Sequence, residues 1–128
     1  MHSLPFQIVA DPARNLLTIS FVSVLWTPEV AHQFRRDCIA AASSLPCAPG
    51  DHLVLVDLRN AVLQSKTIYE KMQAFAASAT SRRVALVASA PVARMQSKRL
   101  QVRDNIVLFN ELEDAETWLF AVDRSVAA

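Results

Sequence analysis

The first part of the chain alternates apolar and polar residues with a period of two, as strands with one solvated face do. In residues 17–21, Leu17, Ile19 and Phe21 share one face, and the residues between them are Thr and Ser. A second apolar segment, residues 6–10, precedes it across a short turn that contains Pro and Asn. The pattern predicts an antiparallel hairpin with one buried face.

Further along, apolar residues recur at steps of three and four, which is the period of a helix with one buried side. The first such helix begins at Thr27-Pro28, because a Thr hydroxyl can accept from free backbone N–H groups and Pro suits the first turn. We expect Trp26 to pack against this helix, with contact to a partner as the alternative. The predicted buried positions are Val30, Phe34, Cys38, Ala41 and Leu45 in the first helix, Ile68, Met72, Phe75 and Ala79 in the second, and Leu112, Ala115, Leu119 and Val122 in the last, with another helix opening near Pro91.

Three short apolar runs, residues 53–57, 84–88 and 106–109, separate these helices and predict strands covered on both faces. Alternating strands and helices imply parallel strands joined by right-handed crossovers. We therefore predict an α/β fold in which the N-terminal hairpin and the parallel βα units form a mixed sheet of about five strands with four helices. No repeat or linker interrupts the sequence, so residues 1–128 are expected to form one domain.

Gly50 is the only glycine among the 128 residues, and this excludes several common sites. A dinucleotide-binding turn, a P-loop and the nucleophile elbow of hydrolases each need more than one glycine at fixed spacing. The three histidines, His2, His32 and His52, form no short pair of the kind that binds zinc. The sequence therefore predicts a protein that is not an enzyme and that needs no cofactor and no metal.

Two cysteines, Cys38 and Cys47, are too few for a disulfide framework, and Cys38 lies on a predicted buried stripe. Free thiols in a core indicate a reducing compartment. The N-terminus lacks the features of a signal peptide, and the most apolar stretch, residues 16–25, is too short to span a bilayer. These features predict a cytoplasmic protein with no transmembrane segment.

The formal net charge of +1 conceals separate blocks of charge. From Arg59 to Arg103 there are nine basic residues and one acid, whereas the flanking residues are acidic overall. A basic surface is expected from Arg82, Arg83, Arg94, Lys98, Arg99 and Arg103. It could attract an anionic partner, including a weak contact with anionic lipid, or the acidic last helix could lie beside the third helix and neutralise it. Nucleic acid is disfavoured because no aromatic residues are interleaved with the basic ones.

Three short strings carry a resemblance to a known family: Asp-Pro-Ala-Arg-Asn-Leu-Leu at residues 11–17, Trp-Thr-Pro-Glu at 26–29 and Leu-Val-Leu-Val-Asp at 53–57. Together with the element order, they resemble the STAS domain, named after sulfate transporters and anti-sigma factor antagonists. The likeness is greatest to its short stand-alone, SpoIIAA-like bacterial members. The resemblance implies a regulatory domain that binds another protein, anti-sigma-like or another regulator, and it is compatible with a homodimer.

In members of that family that act by partner switching, an anti-sigma kinase phosphorylates a serine at the start of the helix after the equivalent strand. Ser65 matches that position, but Gln64 replaces the family's acid and the following glycine is missing. Ser65 could instead be only a helix N-cap. Thr67 competes for that role, because Thr67 and Glu70 have the spacing of a capping box. The resemblance thus gives a regulatory hypothesis for Ser65, and the departures from the motif weaken it.

Ligands of open α/β sheets bind at the carboxyl ends of the parallel strands. The loop after the third strand places Arg59, Asn60, Gln64, Ser65 and Lys66 at that edge, where a helix start and two cations would favour an anion. We predict that another protein binds here. The alternative is a domain that binds a small molecule or an anionic lipid, although the packed core of a 128-residue chain is not expected to supply the enclosed apolar cavity that a lipid carrier needs.

Overall fold

The computed structural model describes residues 4–121, and within that range five strands form one sheet in the order β1-β2-β3-β4-β5. The strands are β1 (Phe6–Asp11), β2 (Leu16–Phe21), β3 (Leu53–Asp57), β4 (Arg83–Val87) and β5 (Ile106–Phe109), and the helices are α1 (Pro28–Ser43), α2 (Lys66–Ser78), α3 (Pro91–Ser97, continued by a 3-10 turn at Lys98–Leu100) and α4 (Leu112–Leu119). β1 is antiparallel to β2, and the other neighbouring strands are parallel. The predicted α/β fold is confirmed, while Val122 and His2 lie outside the described residues.

The turn between β1 and β2 is stabilised by the side chains of Asp11 and Arg14 and by the backbone of Asn15. The Asp11 carboxylate accepts from the backbone N–H of Ala13 at 3.1 Å and pairs with Arg14 at 2.7 Å. Asn15 has a φ of 50°, in the left-handed region that Asn tolerates better than most residues. Its carbonyl accepts from the N–H of Leu53 at 2.8 Å. The turn therefore closes the hairpin and also aligns the start of β3 with β2.

Helices α1, α2 and α3 cover one face of the sheet, and α4 covers the other. Because side chains alternate along a strand, β3 sends Val54 to the first face and Leu53 and Leu55 to the second. β4 divides in the same way, with Leu86 on the first face and Val87 on the second. The prediction that these strands are buried on both sides is confirmed.

The start of α1 is fixed by a cap and by an aromatic cluster. The Thr27 hydroxyl accepts from the N–H of Val30 at 3.3 Å, and Pro28 occupies the first helical position, as the sequence predicts. Trp26 is buried and packs against Phe34 of α1 with 5.1 Å between ring centroids. Phe6 lies on the same cluster, 5.1 Å from the ring of Phe34. Trp26 therefore has the packing role expected for it.

The expectation that the acidic last helix neutralises the basic third helix is wrong, because α3 and α4 lie on opposite faces of the sheet. The ion pairs found within residues 4–121 are Arg14–Asp11, Arg59–Asp57 and Lys66–Glu70. None of them joins α4 to the basic segment. Helices that follow one another in sequence can cover opposite faces of a sheet, because helices pack on both faces of an α/β sheet.

Candidate functional site

Two loops meet at the carboxyl ends of the parallel strands, and side-chain hydrogen bonds tie them together. The Gln64 carboxamide accepts from the N–H of Trp26 at 2.8 Å and donates to the carbonyl of Val24 at 3.0 Å. The Ser23 hydroxyl donates to the carbonyl of Asn60 at 2.6 Å. The loop after β2 and the loop after β3 are thus held as one unit. Gln64 and Asn60, both predicted site residues, contribute to this connection.

Arg59 is engaged by its own loop. Its Nε and Nη2 atoms donate to the two oxygens of Asp57 at 2.9 and 2.8 Å, and its backbone N–H donates to the same carboxylate at 3.1 Å. These bonds from Arg59 lower the pKa of Asp57. Lys66, the other predicted cation, is almost fully exposed, with its Nζ 3.9 Å from Glu70. The attraction for an anion expected from two cations is therefore weaker, because Asp57 already neutralises the charge of Arg59 within the loop.

Ser65 is the N-cap of α2. Its hydroxyl accepts from the N–H of Ile68 at 3.3 Å, and Thr67 lies inside the first helical turn. The capping role expected for Ser65 is confirmed, and Thr67 does not compete for it. Ser65 is also exposed to solvent, so its hydroxyl lies where a modifying enzyme could reach it. Its phosphorylation stays a prediction.

The same edge of the sheet carries exposed apolar side chains, which we call the apical surface. Its members are Val22, Val24 and Leu25 in the loop after β2, Leu63 in the loop after β3, and Val92 and Met95 on α3. The residues on α3 adjoin the loop after β3, since Leu63 of that loop lines a small cleft together with Ala93 and Gln96 of α3. Leu25 and Met95 are the most exposed, at 69% and 64%. Apolar clusters of this kind mark interaction sites more often than isolated exposed residues do.

The apical surface is not evident from the sequence, because exposure depends on which residues the fold leaves uncovered. Val22, Val24 and Leu25 follow β2 directly and resemble a continuation of that strand in the sequence. The strand instead ends at Phe21, one residue after its pairing with β3 ends at Ser20. The available signal was the cluster of four large apolar residues in 22–26, a segment that lacks the strict alternation of β2.

The six residues expected to form a basic surface have different surroundings. Arg83 donates to carbonyls at the end of α4, including those of Trp118 and Ala121 at 2.9 and 2.8 Å. Arg94 donates to the carbonyl of Ala88 at 3.0 Å, and Arg103 donates to Ser81. The remaining three, Arg82, Lys98 and Arg99, are exposed. Half of the expected surface is therefore partly buried and bonded to the protein's own polar groups.

A cavity of about 560 Å³ lies between α1, α2 and the face of the sheet that they cover. Its walls are mostly apolar, with Ile19 and Leu86 on the sheet side and Phe34 and Phe75 on the helix side. The two phenylalanine rings meet at 6.0 Å between centroids. The volume falls within the range of ligand pockets, roughly 300–1,000 Å³. The sequence predicts no enclosed apolar cavity, and the structure has a large, mostly apolar one that is partly open to solvent.

The cavity exists because the facing parts of the two helices carry small side chains. Ala42 of α1 and Ala76 of α2 both line it, and neither reaches far enough to fill the space between the helices. Residues 40–44 and 76–80 consist only of Ala, Ser and Thr, which is the sequence signal that could have revealed the cavity. This signal can be interpreted only when the two segments are known to face each other.

One end of the cavity is polar and lies at the amino ends of β3 and β4, where His52, Ser81 and Arg103 line it. Nη2 of Arg103 donates to the Ser81 hydroxyl at 3.2 Å, while its Nε is buried and has no hydrogen-bond partner within the described residues. Burial lowers the pKa of Arg103. Burial, and then the charge of Arg103, lowers the pKa of His52. A cation in a mostly apolar cavity is thus only partly compensated.

Metal binding, nucleophilic catalysis by cysteine and membrane spanning find little support in the described part of the chain. No three His, Cys, Asp or Glu side chains within residues 4–121 come together as metal ligands would. Cys38 lines the cavity, and burial raises the pKa of its thiol to about 12, so it is a poor nucleophile at neutral pH. No helix in this range is both long enough and apolar enough to cross a membrane.

Comparison with known proteins identifies the fold. No family model and no curated protein matches the chain. An uncharacterized protein from the DUF3478 family with a SpoIIAA-like fold, from Shewanella loihica PV-4, superposes with a TM-score of 0.66 at 15% identity, covering 93% of this chain and 97% of that one. An anti-sigma factor antagonist from Mycobacterium paratuberculosis superposes with a TM-score of 0.61 at 17% identity, covering 91% and 95%. The chain therefore has the SpoIIAA-like fold.

Proposed function

We propose that this chain is a non-catalytic regulatory module that binds another protein through the apical surface. The observation that carries the proposal is the group of exposed apolar side chains at the carboxyl ends of the strands, including Leu25, Leu63 and Met95. Burying such side chains against a partner is favourable by about 25 cal/mol per Å² of apolar area. The similarity in fold to an anti-sigma factor antagonist, whose description implies a protein partner, supports the same role.

The loops that carry these side chains are ordered before binding. Gln64 holds Val24 and Trp26 in place, and Ser23 is bonded to Asn60, so less conformational entropy is lost when a partner docks. The polar groups around them have both signs, with the Asp57–Arg59 pair and the Lys66–Glu70 pair close to the loop. A mixed rim suits a protein better than an anionic membrane, which would favour a basic one.

Substitution of Leu25 tests this surface. The chain is used as bait in the source cell, the retained protein is purified, and its Kd is measured for the wild type, Leu25→Ser and Val9→Ser. Val9 is the matched control, since it is an exposed apolar residue on the edge strand β1. We expect Leu25→Ser to weaken binding roughly tenfold or more, as loss of a central contact does, and Val9→Ser to have little effect. Equal affinity of all three proteins would contradict the proposal.

Ser65 is proposed as the regulatory position of this surface, because it is exposed and begins the helix that follows the site loop. Phosphate would add about −1.5 to −2 charge at a helix N-terminus, where the helix dipole favours a negative group. The local fold would then be retained while the surface met by a partner changes its charge. Lys66, the next residue in the chain, is an almost fully exposed cation that could respond to this charge.

Ser65→Asp and Ser65→Asn separate charge from capping. Asp, Asn and Ser are N-caps of similar strength, so both variants should keep α2 capped and the free energy of unfolding nearly unchanged. We expect Ser65→Asp to change the Kd for the purified partner and Ser65→Asn to leave it near the wild-type value. Equal Kd values for the two variants would show that charge at this position does not regulate binding. Arg59→Ala provides a further comparison at the same loop.

A second role, binding of a small molecule or a lipid, is favoured by a different observation. The cavity between α1, α2 and the sheet has the volume and the apolar walls of a ligand pocket. Its polar end lies at the amino ends of β3 and β4, and none of the exposed apolar side chains of the apical surface lines it. The two roles are therefore compatible within one molecule and can be tested by separate substitutions.

A further inference from the structure

We propose that the cavity binds a single-chain amphiphile with a carboxylate head group, such as a long-chain fatty acid, with the chain between α1 and α2 and the head group at Arg103. This proposal rests on the second role above and is independent of the apical surface.

The shape of the cavity suits a chain. It extends along the sheet from Phe21 and Leu58, near the carboxyl ends of the strands, to His52 and Ser81 at the amino ends. A five-residue strand such as β3 is about 16 Å long, so an extended hydrocarbon chain of that length can lie along it. Its walls along this length are mostly aliphatic and aromatic, which favours hydrocarbon over a sugar or a nucleotide base. Arg35 of α1 also lines the cavity, with its guanidinium over the Phe75 ring.

The charge at the polar end selects an anion. Arg103 belongs to none of the ion pairs in residues 4–121, and its Nε is buried with no hydrogen-bond partner there. A buried donor left unpaired is costly, and a carboxylate placed beside it would supply both the missing acceptor and the opposite charge. The guanidinium can bind both carboxylate oxygens at once. Ser81 and His52, which line the same end, could donate to the same head group.

The size of the cavity limits the occupant to one chain. At about 560 Å³ it lies in the middle of the range for small-molecule sites, whereas a two-chain phospholipid would need its head group and second chain outside. Ala42 of α1 and Ala76 of α2 line this space with small side chains. A single acyl chain therefore matches the space.

The first experiment compares head groups of equal chain length. A fluorescent fatty acid is bound to the full-length chain and displaced with dodecanoate, dodecanol or dodecyltrimethylammonium below their micelle concentrations. We expect dodecanoate to bind roughly tenfold more tightly than dodecanol, because a hydrogen bond to a charged group is worth more than a neutral one. The cation should bind most weakly. Equal affinities for acid and alcohol, or no displacement at all, would overturn the proposal.

The second experiment changes Arg103. In Arg103→Gln the acid should lose its advantage over the alcohol, while the affinity for dodecanol stays near the wild-type value. Arg82→Gln is the matched control, because Arg82 is exposed, lies near the same edge of the sheet and does not line the cavity. It should keep the preference for the acid. A preference that persists in Arg103→Gln would assign the head group elsewhere and contradict the site.

The third experiment fills the cavity. Ala76→Leu places a larger side chain inside it and should weaken binding of acid and alcohol alike, whereas Ala77→Leu, on the exposed side of α2, should change neither. Circular dichroism shows that both variants are folded. Equal binding by Ala76→Leu and the wild type would exclude this cavity as the site. Loss of protein binding on Leu25→Ser with fatty-acid binding intact would show that the two sites are separate.

Discussion

The two faces of the sheet bury comparable apolar strands but differ in how completely their helices fill the space above them. On the α4 face, Ala85, Val87, Ala115 and Leu119 have no exposed surface at all. On the opposite face, α1 and α2 leave a cavity of about 560 Å³. The strands supply similar residues to both faces, so the difference comes from the helices. α4 brings Leu and Trp to the sheet, whereas the ends of α1 and α2 bring Ala and Ser.

The two faces therefore differ in what their packing contributes to stability. Close-packed cores gain dispersion energy from every neighbour and respond to the loss of even one methyl group. A cavity loses some of that dispersion energy. It is therefore retained during selection only if the empty space has another use or if the remaining stability is sufficient. Substitutions that remove or add volume should therefore have different effects on the two faces.

The largest effect is expected from removal of volume on the packed face. Leu119→Ala deletes a fully buried side chain of α4 and should lower the free energy of unfolding by about 2–5 kcal/mol. Met72→Ala, whose side chain borders the cavity and is partly exposed, should cost less because it loses fewer contacts. Urea denaturation monitored by tryptophan fluorescence measures both. Equal losses would mean that the two faces are equally well packed.

Addition of volume should give effects of opposite sign. Ala115→Leu would overpack the α4 face, where Ala115 has no exposed surface, and should destabilise by about 1–3 kcal/mol. Ala76→Leu fills part of the cavity and should be neutral or stabilising by up to about 1 kcal/mol. Thermal melts of the two variants beside the wild type make the comparison. Destabilisation of similar size in both would show that the cavity does not accept a larger side chain.

A smaller effect is expected from substitution of Arg83, whose side chain binds carbonyl groups at the carboxyl end of α4. Its guanidinium donates to carbonyls of Trp118 and Ala121 and lies 5.6 Å from the Trp118 ring. Arg83→Met keeps the aliphatic stem but loses these bonds and the interaction with the ring, and it should cost about 1 kcal/mol. Arg82→Met, at an exposed neighbouring position, is the control. A cost equal to that of the control would mean that Arg83 does not stabilise the end of α4.

The smallest effect is a pH dependence on the cavity face. Burial and the nearby charge of Arg103 lower the pKa of His52, so the unfolded chain binds this proton more readily than the folded one. The contribution of His52 is therefore fully present above its ordinary pKa near 6.5 and is lost as the pH falls through the lowered value. His52→Gln should make the unfolding free energy less dependent on pH between about 7 and 5. An unchanged slope would contradict the shift.

Local patterns were sufficient to predict the secondary structure and its order. The alternation in β2 identified its buried face, and the Thr27-Pro28 pair located the start of α1. The sequence offers Ser65 and Thr67 as caps of α2, because hydroxyl groups at helix starts accept backbone N–H bonds, and the structure selects Ser65. Such features depend on residues within one or two turns of the chain. The absence of glycine motifs is equally local.

The candidate sites depended on residues far apart in sequence, and the predictions were weaker there. Arg59 appeared to be a free cation until the structure placed Asp57 against it. The predicted basic surface included Arg83 and Arg103, which the fold uses for carbonyl groups and for the end of the cavity. Whether a charged side chain is free is decided by the groups that tertiary structure brings to it. Composition cannot supply that information.

The sequence by itself determined the α/β order, the hairpin, the helix caps and the lack of glycine-dependent sites, because each follows from short-range backbone and side-chain preferences. Only the tertiary structure decided which face each helix covers, which apolar residues stay exposed, and that two alanine-rich segments face each other. A cavity is the volume that remains after many distant side chains have packed. It is therefore set by the sum of their sizes and positions, and no single stretch of sequence carries it.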